Sequence, residues 1–178
     1  MPIAFGGQYV GFMAATTKMM RKLPGRIVGE TKDDDGNRAF VLTLQAREQH
    51  IRREKASSNI CSNQDLCCLA ASVYMAAMGA DGMAQAAKQS MAKAHYLRDK
   101  LAEAGCRPLY QQDFFNEFIM ECPCGATALM DALAKKGILG GLPVTENAVL
   151  WCTTEMNTKA EMDQVAEIVS ALNAGKEV

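Results

Sequence analysis

The chain has 178 residues, 49% of them apolar and 22% charged, with a formal net charge of −1. That length supports one domain or two small ones, and the composition is that of a globular protein. The near-neutral balance excludes a chain built mainly to coat nucleic acid or an anionic membrane, so any basic function is local.

The opening stretch, MPIAFGGQYV, lacks a basic region followed by an apolar one and does not read as a secretory signal. No run of about 18 apolar residues occurs, so no membrane span is expected. Residues 9–15, YVGFMAA, predict a short buried strand after the Gly6-Gly7 turn. Residues 17–22 predict a short helical or turn segment, stopped by Pro24-Gly25. A hairpin follows, with strands near Ile27–Glu30 and Ala39–Leu44 and the turn signal at Asp35-Gly36. The acidic run Asp33–Asp35 is then a solvated hairpin tip.

A helix begins after Ser62, with Asp65 three residues on as a capping signature. From Leu66 to Met78 it is apolar on nearly every face, the pattern of a helix buried all round. Gly79 and Gly82 predict its break and a soft domain boundary. The next helix, about 83–104, carries one stripe through Met83, Ala87, Met91, Ala94, Leu97 and Leu101, with Gly105 as its C-cap. His95 falls beside that stripe and reads as a partly exposed helix residue. Strands then follow in CRPLYQ and FNEFIMEC, a helix in ATALMDALAKK ended by Gly137, and a strand in AVLWCTT. The last helix, TKAEMDQVAEIVSALNAG, has a capping box from Thr158 to Glu161. This alternation predicts a small sheet covered on one face by helices. The early buried strand and the all-apolar helix need more surface than the first part supplies, so they predict further chain or a second copy packed there.

The seven cysteines are Cys61, Cys67, Cys68, Cys106, Cys122, Cys124 and Cys152. Their odd number and spacing read as reduced, mostly buried thiols and so as a cytoplasmic chain. Only Cys122-Pro123-Cys124 resembles a metal or redox pair, and zinc spacing with a second pair is lacking. The twelve methionines read as core gap-fillers.

The residues with most chemistry lie in LQAREQHIRREKASSNICSNQ, residues 44–64. Arg47, Arg52, Arg53 and Lys55 face Glu48 and Glu54 in sequence, and guanidinium forks suit carboxylates and phosphates. Ser57, Ser58, Asn59, Ser62 and Asn63 offer hydroxyls and amides just before a helix N-terminus, where free N–H groups attract anions. His50 is a candidate acid or base or a surface residue. Two readings stay open on composition: an anion site, or a capped helix preceded by a solvated charge run. No GxGxxG, Walker loop, HExxH or GxSxG occurs, and the Gly6-Gly7 and Gly140-Gly141 pairs are too short for a nucleotide loop.

The stretches FGGQYVGFMAA, RKLPGRIVGETKDDDGNRAFVLTLQAREQHIRREKASSNICSNQ, FFNEF, GILGGLP and WCTTEMNTKAEMD together resemble one family. It is subunit 1 of glycine dehydrogenase (decarboxylating), the P-protein of the glycine cleavage system. The resemblance spans essentially the whole chain but only the C-terminal part of the family's longer subunit. Gly6-Gly7-Gln8 stands where the family usually reads FGGP, and ASSNICSNQ where it usually reads ATSNICTNQ.

The resemblance implies a fold type I pyridoxal phosphate enzyme of α/β class. Residues 1–80 would be the C-terminal remnant of the large domain, and residues 81–178 the small α+β domain with a short, mainly antiparallel sheet. It implies an oxidoreductase that decarboxylates glycine on pyridoxal phosphate and passes the aminomethyl group to the lipoyl arm of H-protein. The cofactor lysine is expected on subunit 2, so no catalytic residue and no bound cofactor are expected on this piece, and no metal. The implied partners are subunit 2, in a heterotetramer, and lipoylated H-protein, with no nucleic acid and no membrane. Ser57, Ser58 and Asn59 are then the residues expected near the cofactor phosphate or the interface. Arg47, His50 and Arg52 are those expected near the glycine carboxylate, the lipoyl arm or the partner. The alternative is a free-standing anion-binding or scaffolding interaction module.

Overall fold

The computed structural model describes residues 10–23, 27–44, 52–56 and 64–176. The chain divides into two compact units, Met1–Ala77 and Met78–Val178.

In the first unit, a 3-10 helix spans Thr17–Lys22, as the sequence predicts. Strands β1 (Ile27–Lys32) and β2 (Arg38–Leu44) form the predicted antiparallel hairpin. Its tip is built by Asp33, whose Oδ1 accepts from the backbone N–H groups of Asp35 (3.0 Å) and Asn37 (2.8 Å). Gly36 takes φ 82°, a left-handed conformation that favours glycine at this position. The strand expected over residues 9–15 does not form: residues 10–15 are irregular, and Phe12 is 98% exposed. A buried strand needs neighbours to take its backbone N–H and C=O groups, and the only described strand pair in this unit is β1 with β2.

Helix α1 (Asp65–Glu103) starts where predicted. The expectation that residues 66–78 are buried all round is not met, because Leu66, Leu69 and Val73 are each more than half exposed. Within this helix Gly79 leaves helical geometry at φ 63°, ψ −179°, whereas Gly82 stays helical. One window of α1 is long and apolar enough to cross a membrane by length and composition, contrary to the expectation of none. The break at Gly79 limits the straight apolar run before it to about 21 Å at about 1.5 Å per residue, short of the roughly 30 Å hydrocarbon core.

The second unit holds strands β3 (Arg107–Pro108), β4 (Glu117–Glu121), β5 (Leu142–Pro143) and β6 (Ala148–Cys152) in one antiparallel sheet ordered β3-β4-β6-β5. Helices α2 (Ala126–Lys135) and α3 (Lys159–Asn173) complete it. Phe118 lies opposite Trp151, and Met120 opposite Val149. All four are buried and share a core with Leu97 and Leu101 of α1, Leu129 and Leu133 of α2, and Val165 and Val169 of α3. On the other face Ile119 lies opposite Leu150, and both are only half-buried. The sheet is therefore covered on one face, as the alternation predicts. The edge strands β3 and β5 are two residues each, the first shorter than predicted and the second not predicted at all.

Only the C-terminal part of the predicted α1 stripe is buried: Ala94, Leu97 and Leu101, joined by Ser90, while Met83, Ala87 and Met91 remain exposed. Ser90 is satisfied by the Ala86 carbonyl (2.9 Å), and Thr153 Oγ1 donates to the Ser90 carbonyl (3.2 Å). Gly105 closes the helix at φ 98°, with Cys106 N–H donating to the Leu101 carbonyl at 3.0 Å. Helix α3 begins with the predicted capping box: Glu161 N–H donates to Thr158 Oγ1 (3.2 Å) and Thr158 N–H to Glu161 Oε2 (2.7 Å). Such a cap contributes about 0.5–2 kcal/mol.

Candidate functional site

Arg52 is the predicted site residue that the structure describes. Arg47, His50, Ser57, Ser58 and Asn59 lie outside the described residues, so the structure neither brings them together nor separates them. Arg52 is exposed and precedes a 3-10 helix, Arg53–Lys55. Ala56 N–H closes that turn on the Arg53 carbonyl at 3.1 Å. Arg53 has φ 53°, the one non-glycine residue in the left-handed region among the described residues. That conformation costs about 1–2 kcal/mol for a residue with a Cβ. The side chains of residues 52–55 are exposed, and none of them is in an ion pair among the described residues. The first turn of α1 already carries a carboxylate, Asp65, which complements the helix dipole and would oppose a second anion there.

The second unit contains a cavity of about 490 Å³ between the loop at residues 137–142, strand β6 and the start of α3. Its walls include Leu97, Leu150, Trp151 and Met162. No lysine, arginine or histidine lines it. Its one carboxylate, Glu161, is held by the cap of α3, which pulls its pKa below the usual range through the Thr158 backbone and side chain. The Gly140-Gly141 pair has a structural use that its sequence did not reveal. A Cβ on Gly141 would lie 2.3 Å from the Leu150 carbonyl oxygen, so only glycine admits this approach of loop to strand.

A second cavity of about 410 Å³ lies between α1 and α3. Tyr96 OH donates to Asp163 Oδ1 (2.5 Å), and Lys159 Nζ to Asp163 Oδ2 (2.5 Å). Lys100 pairs with Glu103 at 2.6 Å. The Lys159 hydrogen bond holds the Asp163 carboxyl below its usual range, with Tyr96 adding to the effect, and Asp163 in turn pushes Lys159 up. The sign of the pH effect follows. Asp163 contributes stability above the unfolded aspartate value of about 3.9, lost as pH falls through its depressed folded value. Lys159 contributes below about 10.4, lost as pH rises through its raised folded value. Calorimetry of Asp163→Asn should therefore show a melting temperature below wild type near neutrality and a gap that narrows at both extremes. A gap independent of pH would count against this network.

His95, read from the sequence as partly exposed, is half-buried, stacked on Phe114 with centroids 4.2 Å apart, and its Nε2 lies 3.3 Å from the Phe114 carbonyl. Among the described residues no group of three or more histidine, cysteine, aspartate or glutamate side chains is placed to hold a metal ion.

The family model of the glycine cleavage system P-protein matches residues 1–169. This chain belongs to the P-protein family. The probable glycine dehydrogenase (decarboxylating) subunit 1 of Moorella thermoacetica is 48% identical over 97% of the chain and 40% of its own length. The protein of the same description from Brevibacillus brevis is 48% identical over 96% of the chain and 39% of its own length. A crystal structure of glycine decarboxylase (P-protein) of the glycine cleavage system, in inhibitor-bound form, superposes with a TM-score of 0.86 at 41% identity. It matches 96% of this chain and 40% of that one. The chain therefore spans about two fifths of the length of these P-protein relatives. The likeness carries the α/β fold class as well as the family.

The sequence resemblance implies pyridoxal phosphate, and neither of these two cavities fits it. The first presents no amine and no cation for a phosphate. The second presents Lys100 and Lys159, each bound to a carboxylate and held protonated by it, so neither is a nucleophilic amine.

Proposed function

We propose that this chain is the C-terminal portion of a glycine dehydrogenase (decarboxylating) subunit 1 and acts as the non-catalytic support of an active site whose cofactor lysine is on subunit 2. The reaction of the whole assembly is glycine decarboxylation on pyridoxal phosphate, with the aminomethyl group passed to the lipoyl arm of H-protein. The observation that carries this reading is the 48% identity with the Moorella subunit 1 over 97% of the chain. Residues 1–80 form the end of the large domain and residues 81–178 the small domain. Ser57, Ser58 and Asn59 meet the cofactor phosphate or its loop. Arg47, His50 and Arg52 meet the glycine carboxylate, the lipoyl arm or the partner subunit. The assembly works in the cytoplasm.

A chimera tests this reading. The Moorella subunit 1 receives this chain in place of its own matching segment and is combined with subunit 2, pyridoxal phosphate and lipoylated H-protein. Glycine–bicarbonate exchange should be retained, and this chain alone should give none. An assembled, folded chimera without exchange sinks the proposal. In the same chimera, Ser58→Ala or Asn59→Ala should weaken pyridoxal phosphate binding by about ten- to a hundred-fold, the loss of one or two hydrogen bonds to a charged group. Unchanged affinity assigns these residues to the fold alone.

A further inference from the structure

We infer that Cys106 and Cys122 form a redox dithiol that closes to a disulfide and pins the edge strand β3 to the sheet. In the β3–β4 ladder Arg107 faces Glu121 and Pro108 faces Met120, which puts Cys106 opposite Cys122 at the next step. The backbone N–H groups of both cysteines bond elsewhere, Cys106 to the Leu101 carbonyl and Cys122 to the Asn147 carbonyl. The pair thus occupies a non-hydrogen-bonded position, where facing Cα atoms are about 4.5 Å apart and side chains are closest. That separation lies within the range of about 4.4–6.8 Å that a disulfide spans. The two Sγ atoms are 2.7 Å apart, and the residues are 3% and 0% exposed. Two thiolates on one tetrahedral zinc stand about 3.8 Å apart at Zn–S distances near 2.3 Å, so this spacing favours a bond over a shared metal.

The surroundings fix the geometry. Asn173 donates to the Ala104 carbonyl (2.9 Å) and accepts from Cys124 N–H (3.0 Å), tying the segments on either side of the pair. The thiol of Cys106 is lowered by its hydrogen bond with Cys122, while the Cys122 thiol is pushed up by the same bond and by burial. The two thiols titrate as one coupled pair, so the first thiolate belongs to the pair and either sulfur can begin the reaction. With hydrogen peroxide as oxidant, that thiolate attacks one oxygen, becomes a sulfenic acid and releases hydroxide, which takes up a proton as water. The other sulfur then attacks the sulfenic sulfur and a second water leaves. Two thiols and one peroxide thus give one disulfide and two waters. Access comes by fraying of β3, which pairs over only two residues at the sheet edge. A dithiol reductant reverses the step.

The test treats the full chain with hydrogen peroxide, blocks remaining thiols, and maps the peptides by mass spectrometry. The expected product is two hydrogens lighter, with Cys106 linked to Cys122 and two fewer of the seven thiols reactive after denaturation. Its melting temperature rises by roughly 10 °C and returns with dithiothreitol. The same link should form in Cys124→Ser, which removes the nearby alternative partner. Free or over-oxidised Cys106 and Cys122, or a bond from either to Cys124, overturns the inference.

Discussion

Leu133→Ala should lower the stability of the second unit by about 2–5 kcal/mol, the range for a fully buried leucine cut back to alanine. Leu133 is 0% exposed on α2 and belongs to the same core as Leu129, Met120 and Val149. It also reaches the 137–142 loop, because its Cδ1 would lie 2.7 Å from a Cβ placed on Gly140. Its carbonyl accepts from Ile138 N–H at 2.9 Å, so the helix end and the loop start are both fixed at this residue. The cost falls at the upper end if the cavity stays open and at the lower end if the loop follows the missing side chain inward. Urea unfolding followed by circular dichroism measures it. A loss under about 1 kcal/mol would mean that this part of the core is not packed as described.

Gly141→Ala should be nearly as damaging for a different reason. The added methyl group would meet the Leu150 carbonyl oxygen at 2.3 Å and Val149 Cγ1 at 2.6 Å. One obstacle is backbone, so a rotamer change cannot relieve the contact. The loop must move away from β6, and β5 goes with it, since Leu142 and Pro143 pair with Leu150 and Val149. Overpacking of this kind costs about 1–3 kcal/mol. Hydrogen exchange at the Val144 amide, which bonds to the Ala148 carbonyl at 2.9 Å, should speed up in step with the lost pairing. Gly137→Ala is the control. Gly137 has φ 73° but nothing within 4 Å of a built Cβ, so alanine there meets backbone strain alone and should leave β5 protected. Equal exchange in the two variants would contradict the contact argument.

Local chemistry made much of the fold legible. Asp33 to Gly36 closes its hairpin through bonds within five residues, and Thr158 with Glu161 starts its helix within one turn, so neither depends on distant chain. The stripe on α1 was legible in period but not in extent, because a periodic pattern does not say how far the covering sheet reaches. The two-residue strand β5 was too short to leave a pattern, while CRPLYQ signalled β3 but not its brevity; both pair at the open edges of β4 and β6. Residues 10–15 and 66–78 show the opposite failure. Their apolar sequence is that of an interior, yet the described chain leaves Phe12 and Leu66 in solvent. A chain spanning two fifths of its relatives can carry the signature of burial without the material that does the burying. At the candidate site only chemical type and family resemblance were legible. Of Arg47, His50, Arg52, Ser57, Ser58 and Asn59, Arg52 alone has a described position, and it faces solvent. The Cys106–Cys122 pairing was not legible because it rests on strand register, and no spacing in the sequence announces it.

Trp151 is the one tryptophan of the chain, 4% exposed, with its Nε1 buried and unpartnered. The indole is therefore largely shielded from bulk solvent while the second unit is folded. Its emission is a built-in optical gauge of the second unit, blue when β6 is packed and red once water reaches it. Residues 1–77 contain no such fluorophore, so an emission trace separates the melting of one unit from that of the other without a label.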